Sequence, residues 1–127
     1  MTEIIVIGHG GYGEGVRTNL EMVTGVPENM HFLNFTKEQD RAELEAHMDE
    51  LLGRLGEKEV LFCCDLPGAT PFQAAALRTA ANAEKYRTVA GLNQMAYMEL
   101  SMDSSGTAAE LAKRAMETTK ESVTEFP

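Results

Sequence analysis

The sequence predicts an α/β sandwich, a parallel sheet with helices on both of its faces. Short runs that are apolar on both sides recur four times, led by Ile4-Ile5-Val6-Ile7, and strands of that kind belong in a parallel sheet covered on both faces. Each run is followed by a stretch of helical period, so strand and helix alternate as crossover connections require. The length of 127 residues, with 43% hydrophobic and 24% charged, suffices for one core-bearing domain over residues 1–127.

The first run ends in Gly8-His9-Gly10-Gly11-Tyr12-Gly13, a tight strand-to-helix turn with a histidine at its tip. Val16, Leu20 and Val23 then keep helical spacing until Gly25 and Pro27 close the segment. Residues 30–35 read as a second strand ending near Asn34. Thr36-Lys37-Glu38-Gln39 fits a capping box that opens a helix. Leu44, Met48, Leu51, Leu52 and Leu55 form its apolar stripe, with Gly56 as its C-terminal cap. Residues 59–64 are the third strand, ending at Asp65.

Thr70 before Pro71 suits an N-cap and first-turn proline, so a helix is expected from there to about Ala83. Residues 87–91 make a fourth strand, followed at Asn93 by a helix over 94–102. Asp103-Ser104-Ser105-Gly106 breaks the chain, and Thr107-Ala108-Ala109-Glu110 is a second capping box opening the last helix. Periodicity leaves residues 121–126 with two outcomes, a continued helix or a short strand. Right-handed crossovers put all strand carboxyl ends on one edge, which gathers His9, Asn34, Asp65 and Asn93. In a flavodoxin-like order, 2-1-3-4, strands one and three adjoin at the switch point where such folds bind ligands, and His9 faces Asp65.

Composition removes several classes of function. No apolar run approaches the roughly 20 residues of a membrane span, and no basic-then-apolar leader opens the chain, so the expected location is cytoplasmic. Cys63 and Cys64 are adjacent inside an apolar run and lack metal or redox spacing. They read as buried strand residues, one facing each side. A net charge of −9 argues against nucleic acid and leaves a basic protein partner open. His31 and His47 read as strand-start and helix-surface residues without partners.

An imidazole beside a carboxylate has one nitrogen committed to it and the other left as a free lone pair, a nucleophile or a base. Three features nearby suit an anion: the glycines around His9, Gly10 among them, the Gly68-Ala69 turn, and the amides of the helix start with the Thr70 hydroxyl. A nucleophilic histidine beside an anion site points to phosphoryl transfer through phosphohistidine. Neither a metal nor an organic cofactor is called for.

These residues carry a resemblance. Gly8-His9-Gly10, the run from Asp65 to Phe72 (an Asp-x-x-Gly-Gly-Ser/Thr-Pro-Phe pattern) and Ala90-Gly91-Leu92-Asn93 together resemble the IIA component of the mannose family of the bacterial sugar phosphotransferase system. The match in order and spacing covers nearly the whole chain. It departs at Ala69, which replaces the second glycine and would stiffen the phosphate loop, and at Leu66 and Gln94-Met95-Ala96, the last two bearing on substrate subgroup more than on activity. The resemblance implies that His9 accepts phosphate from the phosphocarrier protein HPr and passes it to a IIB component, with IIC and IID membrane components downstream. Asp65 would orient His9. It also implies a homodimer whose C-terminal segment is available for exchange as an antiparallel strand.

Other readings remain. Gly8 to Gly13 formally fits the dinucleotide fingerprint Gly-x-Gly-x-x-Gly, but Asn34 and Phe35 stand where its acidic residue belongs. A receiver-like module phosphorylated on Asp65 would need an acidic pair after strand one, where this chain has His9 and glycines. A dihydroxyacetone-kinase phosphocarrier subunit shares the fold and the early histidine, whereas the aspartate-to-Pro-Phe motif favours the sugar transporter.

Overall fold

The computed structural model describes residues 1–127. Its elements are β1 (Glu3–His9), α1 (Tyr12–Val23), β2 (Met30–Phe35), α2 (Arg41–Leu55), β3 (Val60–Cys64), α3 (Thr70–Ala81), β4 (Tyr86–Ala90), α4 (Gln94–Met102) and α5 (Ala108–Ser122). The four strands form one sheet in the order β2-β1-β3-β4. All pairings are parallel, with Ile7 level with Leu33 on one side and Cys64 on the other. The expected strand order and parallel pairing are therefore present.

Strand alternation sends successive side chains to opposite faces, and two cores result. Ile4, Val6, Leu61, Cys63 and Val89 pack with Val16 and Leu20 of α1, Tyr97 and Leu100 of α4, and Leu111 and Ala115 of α5. Ile5, Ile7, Phe62 and Cys64 pack with Leu44, Met48 and Leu51 of α2 and with Ala74 and Ala75 of α3. The adjacent cysteines thus face opposite layers, as their place in a doubly buried strand requires. Burial pushes the Cys64 thiol up to about 12, and Cys63 well above its ordinary value.

Local chemistry moves two helix starts from where the sequence puts them. Thr36 and Gln39 do not open α2. The Gln39 side chain accepts from the Thr36 amide at 2.9 Å, and the Gln39 amide donates to the Thr36 carbonyl at 3.1 Å, closing a turn instead. The capping box lies one turn later: Asp40 accepts from the Glu43 amide at 2.8 Å, and Glu43 accepts from the Asp40 amide at 3.2 Å. Two adjacent frames offer a helix start here, and the one beside the apolar stripe takes it.

Thr70 is likewise the first residue of α3 and not its cap. Ala69 takes the extended cap position with no side-chain bond, and Pro71 follows inside the first turn, where its missing N–H leaves no gap. The Thr107–Glu110 box forms as expected. At the far end α5 stops at Ser122, and residues 123–127 join neither helix nor strand within the chain. His31, expected without a partner, has one: its Nε2 lies 2.8 Å from the buried Glu3 carboxylate.

Candidate active site

The site forms where β1 gives out. Gly10 takes φ of +57°, in the left-handed region that glycine enters without strain, and the chain turns from β1 into α1 with His9 at the tip. Behind His9, Gly8 cannot carry a side chain. A Cβ there would come within 2.7 Å of the Tyr12 ring and 2.8 Å of the Asp65 carboxyl carbon. The glycine is what lets Asp65, at the end of the neighbouring β3, close onto β1.

Asp65 then fastens His9 twice. Its Oδ2 accepts from the His9 backbone amide at 2.9 Å and lies 2.8 Å from Nδ1 of the ring. Its Oδ1 accepts from the Leu66 amide at 2.9 Å. Burial acts to raise the Asp65 pKa, but the His9 amide, the His9 ring and the Leu66 amide outweigh it and hold the carboxyl below its ordinary value. A carboxylate so held fixes the imidazole with its proton on Nδ1 and its lone pair on Nε2. The His9 side chain is 42% exposed and that of Asp65 13%, so the nucleophile is open while its partner is covered.

Phe35, from the end of β2, meets the His9 ring edge-on at 5.9 Å between centroids, and its carbonyl accepts from the Gly10 amide at 2.8 Å. A cavity of about 500 Å³ opens against His9, Gly10, Gly11 and Phe35, and its outer wall is the turn of residues 36–39. This wall was hidden in the sequence behind the capping-box pattern of Thr36 and Gln39. The signal that could have found it was the strand order, which brings the carboxyl end of β2 beside that of β1.

The other expected phosphate ligands are placed differently. Gly68 lines a separate groove of about 450 Å³ with Arg41, Phe72, Gln73 and Leu77, and neither Ala69 nor Thr70 lines the His9 cavity. The Gln73 side chain donates to the Gly68 carbonyl at 2.8 Å and so steadies the turn before α3. Asn34 accepts from the Glu14 amide in the first turn of α1, and Asn93 caps α4 while donating to Ser122. Both asparagines of the edge therefore work as local structure.

The family model for EIIA-man, described as the PTS (phosphotransferase system) fructose IIA component, matches residues 3–124. The chain belongs to that family. A mannose-specific EIIAB component of the PTS from Escherichia coli K12 is 35% identical over 127 residues, covering 97% of this chain and 39% of the relative. The chain thus spans well under half the length of the curated relatives that it matches. Among solved structures, the phosphotransferase component EIIA from Streptococcus agalactiae superposes with a TM-score of 0.90 at 23% identity, over 99% of this chain and 98% of that one. The mannose/sorbose-specific IIA subunit from Enterococcus faecalis gives 0.90 at 24% identity, over 99% and 95%. At those identities the two structures establish the shared fold. Membership in the IIA family supports the phosphotransferase reading over a receiver-like module or a dihydroxyacetone-kinase subunit.

Proposed function

We propose that residues 1–127 act as one IIA phosphocarrier domain of a mannose-type sugar phosphotransferase system. In this reading His9 takes a phosphoryl group from HPr in the cytoplasm and yields it to a IIB component, ahead of IIC and IID membrane components. The observation that carries the proposal is the double hold of Asp65 Oδ2 on the His9 amide and on Nδ1, with the ring still open to solvent. It leaves Nε2 as the nucleophile.

The step balances simply. A P–N bond forms at His9 Nε2 as the donor's P–N bond breaks, and the donor nitrogen keeps the electron pair of the broken bond. The Nδ1 proton stays on His9, so the ring gains imidazolium character that the Asp65 carboxylate offsets. Gly10 leaves the backbone at the tip open to close approach, its own amide staying bonded to the Phe35 carbonyl, and the Gly68-Ala69-Thr70 turn, when a partner closes over the site, supplies amides and a hydroxyl to the phosphoryl oxygens. The Thr70 side chain is free for this, since it makes no hydrogen bond in the chain, and α3 has no side-chain cap at Ala69. Donation to IIB is the same step reversed.

Incubation with phosphoenolpyruvate, enzyme I and HPr tests the proposal. One phosphoryl group is expected, lost in acid and stable in alkali as a phosphohistidine is, absent from His9→Ala, and discharged by a cognate IIB component. ATP alone should not label the chain, which has no Walker-type loop. An alkali-labile label that survives His9→Ala would place the phosphate on a carboxylate and overturn the assignment.

A further inference from the structure

We propose that Lys37 is a phosphoryl-contacting residue that stabilises the charged form of the site, an inference that rests on the phosphohistidine reading above. Lys37 is the one cation lining the His9 cavity. It is exposed and forms no ion pair or hydrogen bond, whereas Arg17, Arg41, Lys58, Arg78, Lys85 and Arg114 all pair with carboxylates. Like Arg54, Lys113 and Lys120 it is without an ion pair, but of these it alone lines the His9 cavity.

Three hydrogen bonds hold the turn that carries it. The turn of residues 36–39 is closed by the Thr36–Gln39 pair of hydrogen bonds, which puts Lys37 and Glu38 at its two central positions, where side chains project outward. The carbonyl of Phe35, the residue before that turn, is tied to the Gly10 amide at 2.8 Å. The base of the turn is therefore fastened to the residue after the nucleophile.

The need for such a charge follows from the chemistry. A phosphoryl group on His9 brings about two negative charges beside the ionised Asp65, and Glu38 lines the same cavity. Without a cation the phosphorylated form would be disfavoured in a protein already acidic. An ammonium about 4 Å from one unit of that charge in a water-like medium contributes about 1 kcal/mol, equivalent to about fivefold in an equilibrium constant. Lys37 is thus expected to act chiefly on how much phosphate His9 holds.

The test measures the equilibrium between phospho-HPr plus the chain and HPr plus the phosphorylated chain. That constant involves no docked complex, so a role for Lys37 in partner binding cannot move it. In about 50 mM salt, Lys37→Gln should lower it about fivefold and Lys37→Glu further, with Glu38→Gln moving it the opposite way. The Lys37→Gln effect should shrink at 0.5 M salt as screening grows. Thermal unfolding of each variant should match wild type, the turn being exposed. A wild-type equilibrium constant in Lys37→Gln at low salt overturns the inference, and so does a variant slowed in transfer with that constant unchanged. Failure of the wild-type chain to be labelled on His9 would instead remove the underlying phosphohistidine reading, so the two failures are told apart.

Discussion

Asp65 accepts three hydrogen bonds with two oxygens, two of them from one residue, and its substitution should therefore be felt in chemistry before stability. Asp65→Ala is expected to fold, because the amides it releases lie at an exposed edge where water replaces the carboxylate. Phosphoryl transfer from phospho-HPr should slow at least tenfold, in line with about 2–4 kcal/mol for a comparable electrostatic role. Exchange at the wild-type rate would make Asp65 merely structural. The pH dependence has a definite sign. The folded pKa of Asp65 is depressed, so its contribution to stability is fully present above the ordinary aspartate value of about 3.9. It is lost as the pH falls from there through the depressed value, well below the range of transfer assays. At this scale His9 and Asp65 were readable, because each ends a doubly apolar run and strand order alone brings them together. Phe35 and Lys37 were not, because their place beside His9 depends on how one turn closes.

Between residue and fold, the helix starts show what pattern reasoning can and cannot separate. The box at Thr107 stood alone and formed as written, while Thr36-x-x-Gln39 and Asp40-x-x-Glu43 follow one another within eight residues and only geometry chooses between them. The choice has a measurable consequence. Asp40→Ala should destabilise the protein by about 1 kcal/mol, the usual worth of an N-cap side chain, whereas Thr36→Ala should stay within about 0.5 kcal/mol, as exposed turn substitutions do. Urea denaturation of the two variants checks this, and equal losses would restore Thr36 as the cap. The stripe of α2 was legible throughout, since Leu44, Met48 and Leu51 are all buried, and a helix needs that face whatever its first residue.

For the molecule as a whole, the layers and the sheet order follow from four doubly apolar runs and the handedness of crossovers, and both were readable. The end of the chain was not, because neither helix nor strand is completed there within one copy. Val123 is 76% exposed and Phe126 95%, a large apolar surface for a terminal segment. β4 is also an edge strand with one side unpaired. We therefore expect a homodimer in which this segment contributes. Sedimentation at micromolar concentration should give twice the chain mass, and removal of residues 123–127 should weaken association. A monomeric intact chain would count against the dimer, and an unaffected truncation against the segment's part in it.

The central position of β1 also governs how the protein comes off the ribosome. Residues 4–7 have no solvent exposure in the finished fold, yet their two flanking strands are made later, β3 ending only at Cys64. At roughly 5–20 residues per second, Ile4-Ile5-Val6-Ile7 waits several seconds for its second neighbour. Throughout that interval an apolar strand that the finished fold buries completely lacks a neighbour on one side, and the same wait delays the histidine from meeting its aspartate.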